Sequence, residues 1–457
     1  GPRDVTLVDG GDLLALPQVA GKATEFKRMQ LRNGLELFIR PTTKFKTTFI
    51  KLVIQRDLDG DVSRAAIIPF VLRRGSKSYP TTRDIAKRLE ELYGAALMAD
   101  IAKIGERQLI EVGIEFVNEE HLRPRARGGA GGSHGLLRAC LDMIAEFVTD
   151  PLTTEVEPRG FVSQYVEREK ELLLQRIRGI INDKRSYAVQ RCFEEMCEGE
   201  PFAYHRYGTE QLVQEIEPVS LYEFHRGLLR RNPVSAFVVG AVDPELVAGL
   251  IEDGLSLGRS GEPARLRPPV ARIADRPVKT IEEEQDVKQA IVVLGYRTDC
   301  GYADPDYPAL LFYNGILGGF PHSKLFMNVR ERASLAYYAF SRIEATKGLL
   351  IASAGIDAAN YEKALRIMLD QSEEIARGAI SDYEMDSTRK GLINQLRSKE
   401  DSQPDIINSE LVGLINGRVR PTGEFIQDIE RVTKDRVVEV AGRIKLDTIY
   451  FLKGRTG

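Results

Sequence analysis

Metal chemistry is the first possibility the residue types raise. The 457-residue chain carries five histidines (His121, His134, His205, His225, His322) and four cysteines (Cys140, Cys192, Cys197, Cys300). Zinc sites need such side chains at short, fixed spacings. No two of the histidines form a His-x-x-x-His pair. Cys192 and Cys197 lie near His205, but the spacing matches no zinc module, and Cys192 falls within the helical pattern "SYAVQRCFEEMCEG". These thiols read as buried or incidental. Cysteine usage of this kind is not a disulfide framework and points to a reduced, cytoplasmic protein. Phosphate binding is the second possibility. "RARGGAGGSHG" at Arg125–Gly135 is glycine-rich. It lacks the G-x-x-x-x-G-K-[ST] order and reads as a mobile loop ahead of a helix.

The elements around these residues follow from composition and periodicity. The chain is too long for one core, and its length suggests about two to four domains. Apolar residues make up 43% and charged residues 29%, with a formal charge of −3. Interspersed charge gives no electrostatic basis for nucleic-acid or membrane binding. The apolar run Ala65–Leu72 is far shorter than a membrane span. The opening Gly1-Pro2 resembles a tag-cleavage scar, which leaves open whether a signal segment once preceded it.

Residues 252–277, rich in Gly, Pro and Arg, read as a linker between residues 1–251 and 278–457. The two halves look like versions of each other. Strand patterns open both: "GLELFI" and "TFIKLVIQ", with Ile50, Leu52 and Ile54 alternating, and later "KQAIVVLGY", with Ala290, Val292, Leu294 and Tyr296 alternating. Gln108–Phe116 and Gly348–Ile356 are paired further strands, and Leu136–Val148 and Tyr361–Ala376 paired helices. "GTEQLVQEIEPVSLYEF" at Gly208–Phe224 is similar to "TGEFIQDIERVTKDRVVEV" at Thr422–Val440, each followed by a short apolar strand. The fold class is α+β. It comprises two homologous halves, each a mixed or antiparallel sheet with helices packed mainly on one face.

Two segments carry a resemblance to a known family. "GSKSYPTTRDIAKRLEELYGA" at Gly75–Ala95 predicts a helix over Thr82–Tyr93, with Thr81 and Asp84 spaced as a capping box and Gly94 at its end. It resembles the segment that follows the active site in M16 (pitrilysin-type) zinc peptidases. There, two histidines of a His-x-x-Glu-His motif hold zinc and its glutamate is the general base. Setting Gly75 on the family's glycine places that motif on Ala66–Phe70. The histidine positions are then Ala66 and Phe70, and the glutamate position is Pro69. The third ligand position falls at about Gln175 or Arg176. None of Ala66, Pro69, Phe70 or Arg176 can bind zinc.

"ILGGFPHSKLFMNVRERASLAYYAFSRIEATKGLLIASAGID" at Ile316–Asp357 resembles the family's C-terminal substrate-binding segment. There a glycine-rich loop leads to a helix with an arginine, and a tyrosine follows seven residues later. The resemblance places these on Arg330 and Tyr337, with Tyr338 an adjacent alternative, and gives Gly318, Gly319 and Phe320 a substrate-contacting role. A guanidinium and a phenol can each donate a hydrogen bond to a tetrahedral oxyanion.

The resemblance extends from about Glu25 to Lys453, and within the family it is to the YmfF-like group that lacks the zinc motif. It implies a clam-shell heterodimer of four repeats enclosing a chamber. This chain holds no metal or other cofactor. A homologous M16 subunit with His-x-x-Glu-His supplies the zinc, and the substrate is a peptide or unfolded polypeptide. An inactive scaffold or peptide-binding protein is the alternative.

Overall fold

The computed structural model describes residues 25–122 and 135–455. The Gly1-Pro2 start, His134 and all but the last residue of the Arg125–Gly135 segment lie outside them. In the first half, β1 (Lys27–Gln30), β2 (Glu36–Pro41), β3 (Thr47–Asp57), β4 (Ala96–Ile104), β5 (Arg107–Val117) and β6 (Val234–Gly240) form one sheet. Its order is β1-β2-β6-β3-β5-β4. In the second half, β7 (Lys279–Gln285), β8 (Ala290–Arg297), β9 (Ala336–Glu344), β10 (Leu349–Ile356) and β11 (Lys445–Gly454) form another, in the order β7-β11-β8-β10-β9. In each sheet one pair is parallel, β2 with β6 and β7 with β11, and the other pairs are antiparallel. The second sheet therefore repeats the first without β1.

The helices repeat as well. The first half carries α1 (Val62–Leu72), α2 (Thr82–Glu91), α3 (Gly135–Thr149), α4 (Ser163–Asn182), α5 (Lys184–Met196), α6 (Glu210–Gln214), α7 (Pro218–Arg231) and α8 (Pro244–Gly254). The second carries α9 (Tyr307–Asn314), α10 (Tyr361–Ala376), α11 (Asp382–Lys399), α12 (Gln403–Ile415), α13 (Thr422–Glu430) and α14 (Lys434–Arg443). By order along the chain, α3, α4 and α5 correspond to α10, α11 and α12. The stretch 255–278 between α8 and β7 contains no helix or strand.

The alternating residues expected to face a core do so. Ile50, Leu52 and Ile54 join the first half's main core, and Ala290, Val292, Leu294 and Tyr296 join the second's. The opposite faces differ from the expectation of helices mainly on one side. Phe49 and Val53 of β3 are also buried, together with Phe38, Phe237 and Val239, beneath Ile406, Ile407, Leu411 and Ile415 of α12. Ile291 and Val293 of β8 are buried beneath Ala188, Val189, Cys192, Phe193 and Met196 of α5. Each half thus lends the equivalent helix to the other half's sheet.

Polar contacts fix both loans. Gln403 Nε2 donates to the carbonyls of Thr47 and Val239, each at 2.9 Å. Arg297 Nη2 donates to the Met196 carbonyl at the end of α5 at 2.7 Å and to Glu200 at 2.8 Å. Lys347, 1% exposed, pairs with Glu200 at 2.9 Å and Glu106 at 3.4 Å. Tyr187 of α5 and Tyr450 of β11 both donate to Glu283.

Two predictions follow from this packing. A chain cut within 255–278 will elute as a single particle on size exclusion, its fragments parting only in denaturant. Separation under native conditions would contradict the helix exchange. The second concerns His225 of α7, whose Nε2 lies 2.7 Å from the Val148 carbonyl. Burial pushes its pKa from 6.5 down to about 4. Because the folded value lies below the unfolded one, the stabilisation is complete above about pH 6.5 and is lost as pH falls towards 4. The loss amounts to about 3 kcal/mol. Glu410, pushed up to about 7 by burial, has the opposite sign over an overlapping range. The comparison of urea unfolding between wild type and His225→Gln isolates the histidine, and equal pH slopes would exclude its contribution.

Candidate functional site

Helix α1 crosses the interior between the first sheet and α4. Ten of its eleven residues are buried, Ala66 and Phe70 among them. Pro69 also sits inside this helix. A proline there lacks the N–H for an intrahelical bond and crowds the carbonyl four residues back, at a cost of about 3 kcal/mol. The helix persists because its neighbours pack around it. The Pro69 carbonyl still accepts from Arg73 N at 3.2 Å. Helix α2 begins with the expected capping box, Thr81 Oγ1 accepting from Asp84 N at 3.1 Å and Asp84 from Thr81 N at 3.1 Å. Gly94 past its end has φ +73°, where a side chain would be strained.

Across from α1, Arg176 of α4 meets Phe70 face-on, its guanidinium carbon 4.0 Å from the ring centroid. Of the two positions considered for the third ligand, Arg176 makes this contact, while Gln175 is solvent-exposed. Three of the positions on which the resemblance places zinc ligands are therefore a methyl group, an aromatic ring and a guanidinium in contact with that ring. An aromatic face and a cation attract each other through the ring quadrupole. Neither offers a lone pair to a metal. The residues present do not fit zinc. Among the described residues, no group of three or more His, Cys, Asp or Glu could hold a metal ion.

The cysteines and the histidine near them are equally removed from metal chemistry. All four thiols are buried. Burial pushes Cys140, Cys197 and Cys300 up to about 12 and Cys192 upward too. Cys192 and Cys197 belong to the apolar contact between α5 and the second sheet. His205, driven down to about 3 by burial, accepts from Tyr207 N through Nδ1.

In the second half, the glycine segment continues α9 as a wide π-type turn over Gly315–Gly319. It is not a free loop. Gly318 is buried, and a Cβ there would lie 2.5 Å from Ser341 N of β9, so close strand approach accounts for this glycine. Gly319 is exposed. Phe320 is half-buried and stacks on His322, ring centroids 5.2 Å apart. A Cβ on Gly391 of α11 would come within 2.6 Å of its ring.

Arg330 lies in a second π-type turn, Phe326–Arg332, where the resemblance had implied an ordinary helix. Its guanidinium carbon sits 4.7 Å from the Phe326 ring centroid. It has no carboxylate partner among the described residues. Tyr337 stands near the start of edge strand β9 and is 52% exposed. Its hydroxyl donates to Asp357 Oδ1 at 2.9 Å, and that bond raises the phenol's pKa. Tyr338 turns the other way, half-buried beneath Arg185 of α5 at 3.8 Å. Arg330 and Tyr337 are both exposed, on a turn and a strand that pack against each other, and make no hydrogen bond with each other. Sequence reasoning missed β9 itself, because "AYYAFSRIE" follows a basic helical pattern without a break.

Comparison with known proteins adds to this geometry. The family described as "Peptidase M16 inactive domain" matches residues 215–392. The Bacillus subtilis protein named "Probable inactive metalloprotease YmfF" is 38% identical over 429 residues, covering 93% of this chain and 97% of that one. A conserved protein from Enterococcus faecalis has a similar structure, with TM-score 0.86 at 28% identity, covering 95% of this chain and 99% of that one. A protease from Helicobacter pylori has the same fold, with TM-score 0.76 at 17% identity over 94% of this chain and 99% of that one.

The contact between Arg176 and Phe70 is open to direct measurement. Arg176→Met keeps an apolar stem over the ring and removes the cation. Urea unfolding of that variant should show a loss of about 0.5–2 kcal/mol, the range for a partly desolvated cation–π pair. No loss would reduce the contact to packing alone.

Proposed function

The chain belongs to the M16 peptidase family, and we propose that it is an inactive member acting as the non-catalytic subunit of a heterodimeric zinc peptidase. The observation that carries this reading is a contrast between the halves. Where family resemblance expects zinc, Ala66, Pro69 and Phe70 are buried and Arg176 packs on the Phe70 ring. Where it expects substrate contacts, Arg330 is without a carboxylate partner and Tyr337 is exposed. The core-packed side chains of Ala66, Pro69 and Phe70 offer no group to a scissile peptide bond. An arginine and a phenol held at a sheet edge are suited to one.

In this reading a homologous subunit with His-x-x-Glu-His supplies the metal and the general base. This chain supplies hydrogen-bond donors and part of the chamber wall. Arg330 binds a carbonyl or the oxyanion formed from it. Tyr337 now donates to Asp357, so an incoming oxyanion takes over that hydrogen bond. The acidic neighbour keeps the phenol protonated and therefore able to donate. Gly318, Gly319 and Phe320 take the substrate-contacting role in this reading, with Gly319 the exposed one of the three. Residues 1–251 and 278–457 act as the two repeats this chain contributes, with residues 252–277 joining them. No described helix is long and apolar enough to cross a membrane, and we place the assembly in the cytoplasm.

The test combines this chain with such a subunit and follows cleavage of an internally quenched peptide. Cleavage is expected only in the mixture. Arg330→Ala and Tyr337→Phe should each lower kcat/KM, towards the loss of about 10²–10³ typical of an oxyanion donor. Full activity in both variants would remove the role assigned to the pair. Association without any hydrolysis would leave a scaffold. Metal-dependent hydrolysis by this chain alone would overturn the proposal.

A further inference from the structure

Two arginines, Arg73 and Arg176, lie over the Phe70 ring, and a third, Arg74, pairs with the carboxylate of Glu169. Arg74 Nε donates to Glu169 at 2.7 Å. Arg176 lies on the ring, with Nη1 buried and without a hydrogen-bond partner. Arg73 is exposed, its guanidinium carbon 6.0 Å from the same centroid, and has no carboxylate partner among the described residues. The cluster thus holds two more positive charges than negative ones. Paired arginines are commonplace on protein surfaces and carry no message. Unpaired ones beside a concave apolar surface are a different matter.

Such a surface adjoins them. A cleft of about 350 Å³ opens between the end of α1, α2, α4 and strand β4. Ile85, Leu89, Leu97 and Leu172 provide its apolar lining, and Arg73, Arg74 and Glu169 its polar one. The volume falls in the range of about 300–1,000 Å³ in which small ligands and side chains are held. The Arg74–Glu169 pair, its carboxylate buried, is internally neutralised, so the charge left to be matched is that of Arg73, with Arg176 on the ring adding to the positive potential. β4 is the outermost strand of its sheet and pairs only with β5, which leaves its other side able to hold an extended main chain.

We propose that this cleft binds the C-terminal residue of a peptide. The α-carboxylate sits at Arg73, and an apolar side chain lies against Ile85, Leu89, Leu97 and Leu172. An aspartate or glutamate side chain brings the anion without the apolar body. A C-terminal leucine, valine or phenylalanine carries both on one residue, as the lining requires. Guanidinium and carboxylate make a charge-assisted, potentially bidentate pair. The choice of a peptide as carrier rests on the function proposed above. The carboxylate specificity rests on the arginines and the cleft, and it is tested without a partner subunit or any cleavage.

The probe is an N-terminally fluorescein-labelled Gly-Gly-Ala-Leu with a free carboxylate, compared by anisotropy with its C-terminal amide, using the whole chain. The amide should bind at least about 10-fold more weakly, a difference of about 1.4 kcal/mol. Arg73→Gln should weaken the free acid by a similar factor, about 10-fold, and leave the amide unchanged. Leu89→Ala should weaken both, and thermal unfolding checks that each variant is folded. Equal binding of acid and amide, an unaltered difference in Arg73→Gln, or no binding at all would overturn the proposal. Binding of 4-methylpentanoate as tight as that of the peptide would overturn the peptide as occupant. Failure here alongside intact effects of Arg330→Ala and Tyr337→Phe on cleavage would leave the proposed function standing.

Discussion

The central strands of both sheets are apolar on both faces, and each sheet needs two covers. Burying one aliphatic side chain contributes about 1.5–3 kcal/mol. Leaving Phe49, Val53, Phe237 and Val239 in water would forgo several such contributions at once. The chain's own helices cover one face of each sheet. The second face is closed mainly by α12 for the first sheet and by α5 for the second. Neither half has a complete core by itself. The ion pairs of Arg297 and Lys347 with Glu200, and the hydrogen bonds of Gln403, then fix the lent helices at their ends. Their polar groups are satisfied where they are buried, as low dielectric surroundings demand.

That dependence explains why α1 has outlived the chemistry that the family resemblance assigns to its positions. Helix α1 packs against β4, β5, α4 and α7 in the main core of the first half. Losing it would uncover the β4–β5 side of that sheet. Losing a metal ligand from it exposes nothing, provided the replacement fills the space. Ala66 and Phe70 do so, and Arg176 spreads its planar group over Phe70. Pro69 is the most telling of the four. A proline in mid-helix is tolerated only where tertiary packing outweighs local preference.

Much of this arrangement is legible in the residues. Alternation at Ile50, Leu52 and Ile54 marks a core-facing strand side, and "TTRD" marks the start of α2 through its capping box. The duplication shows in the similar letters of Gly208–Phe224 and Thr422–Val440. The helix exchange is not legible. The apolar residues between the alternating ones are plain to see, but nothing local says which distant helix meets them. Edge strands β4 and β9 were hidden for a related reason. "ALMADIAKI" and "AYYAFSRIE" mix polar and apolar residues because each strand has one neighbour only and a half-exposed surface. Resemblance brought Ala66, Phe70 and Arg176 to notice. The stacking of Arg176 on Phe70 shows only in three dimensions.

Repetition also gives a physical meaning to where Arg330 and Tyr337 lie. The π-type turn Phe326–Arg332 occupies the place in the second repeat that α2 occupies in the first, and β9 the place of β4. In the first half this pair of elements borders the apolar cleft and the arginine cluster. In the second it presents Arg330 and Tyr337. The equivalent edges of the two repeats therefore both present cationic groups next to an outermost strand, with different aromatic and aliphatic surroundings. A π-type turn widens the helix and shifts its side chains relative to an α-helix, and such turns recur where a particular side-chain direction matters. A duplicated fold can keep one backbone plan for its cores while its two sheet edges diverge. Packing constrains the cores from both faces, whereas an outermost strand is constrained from only one side.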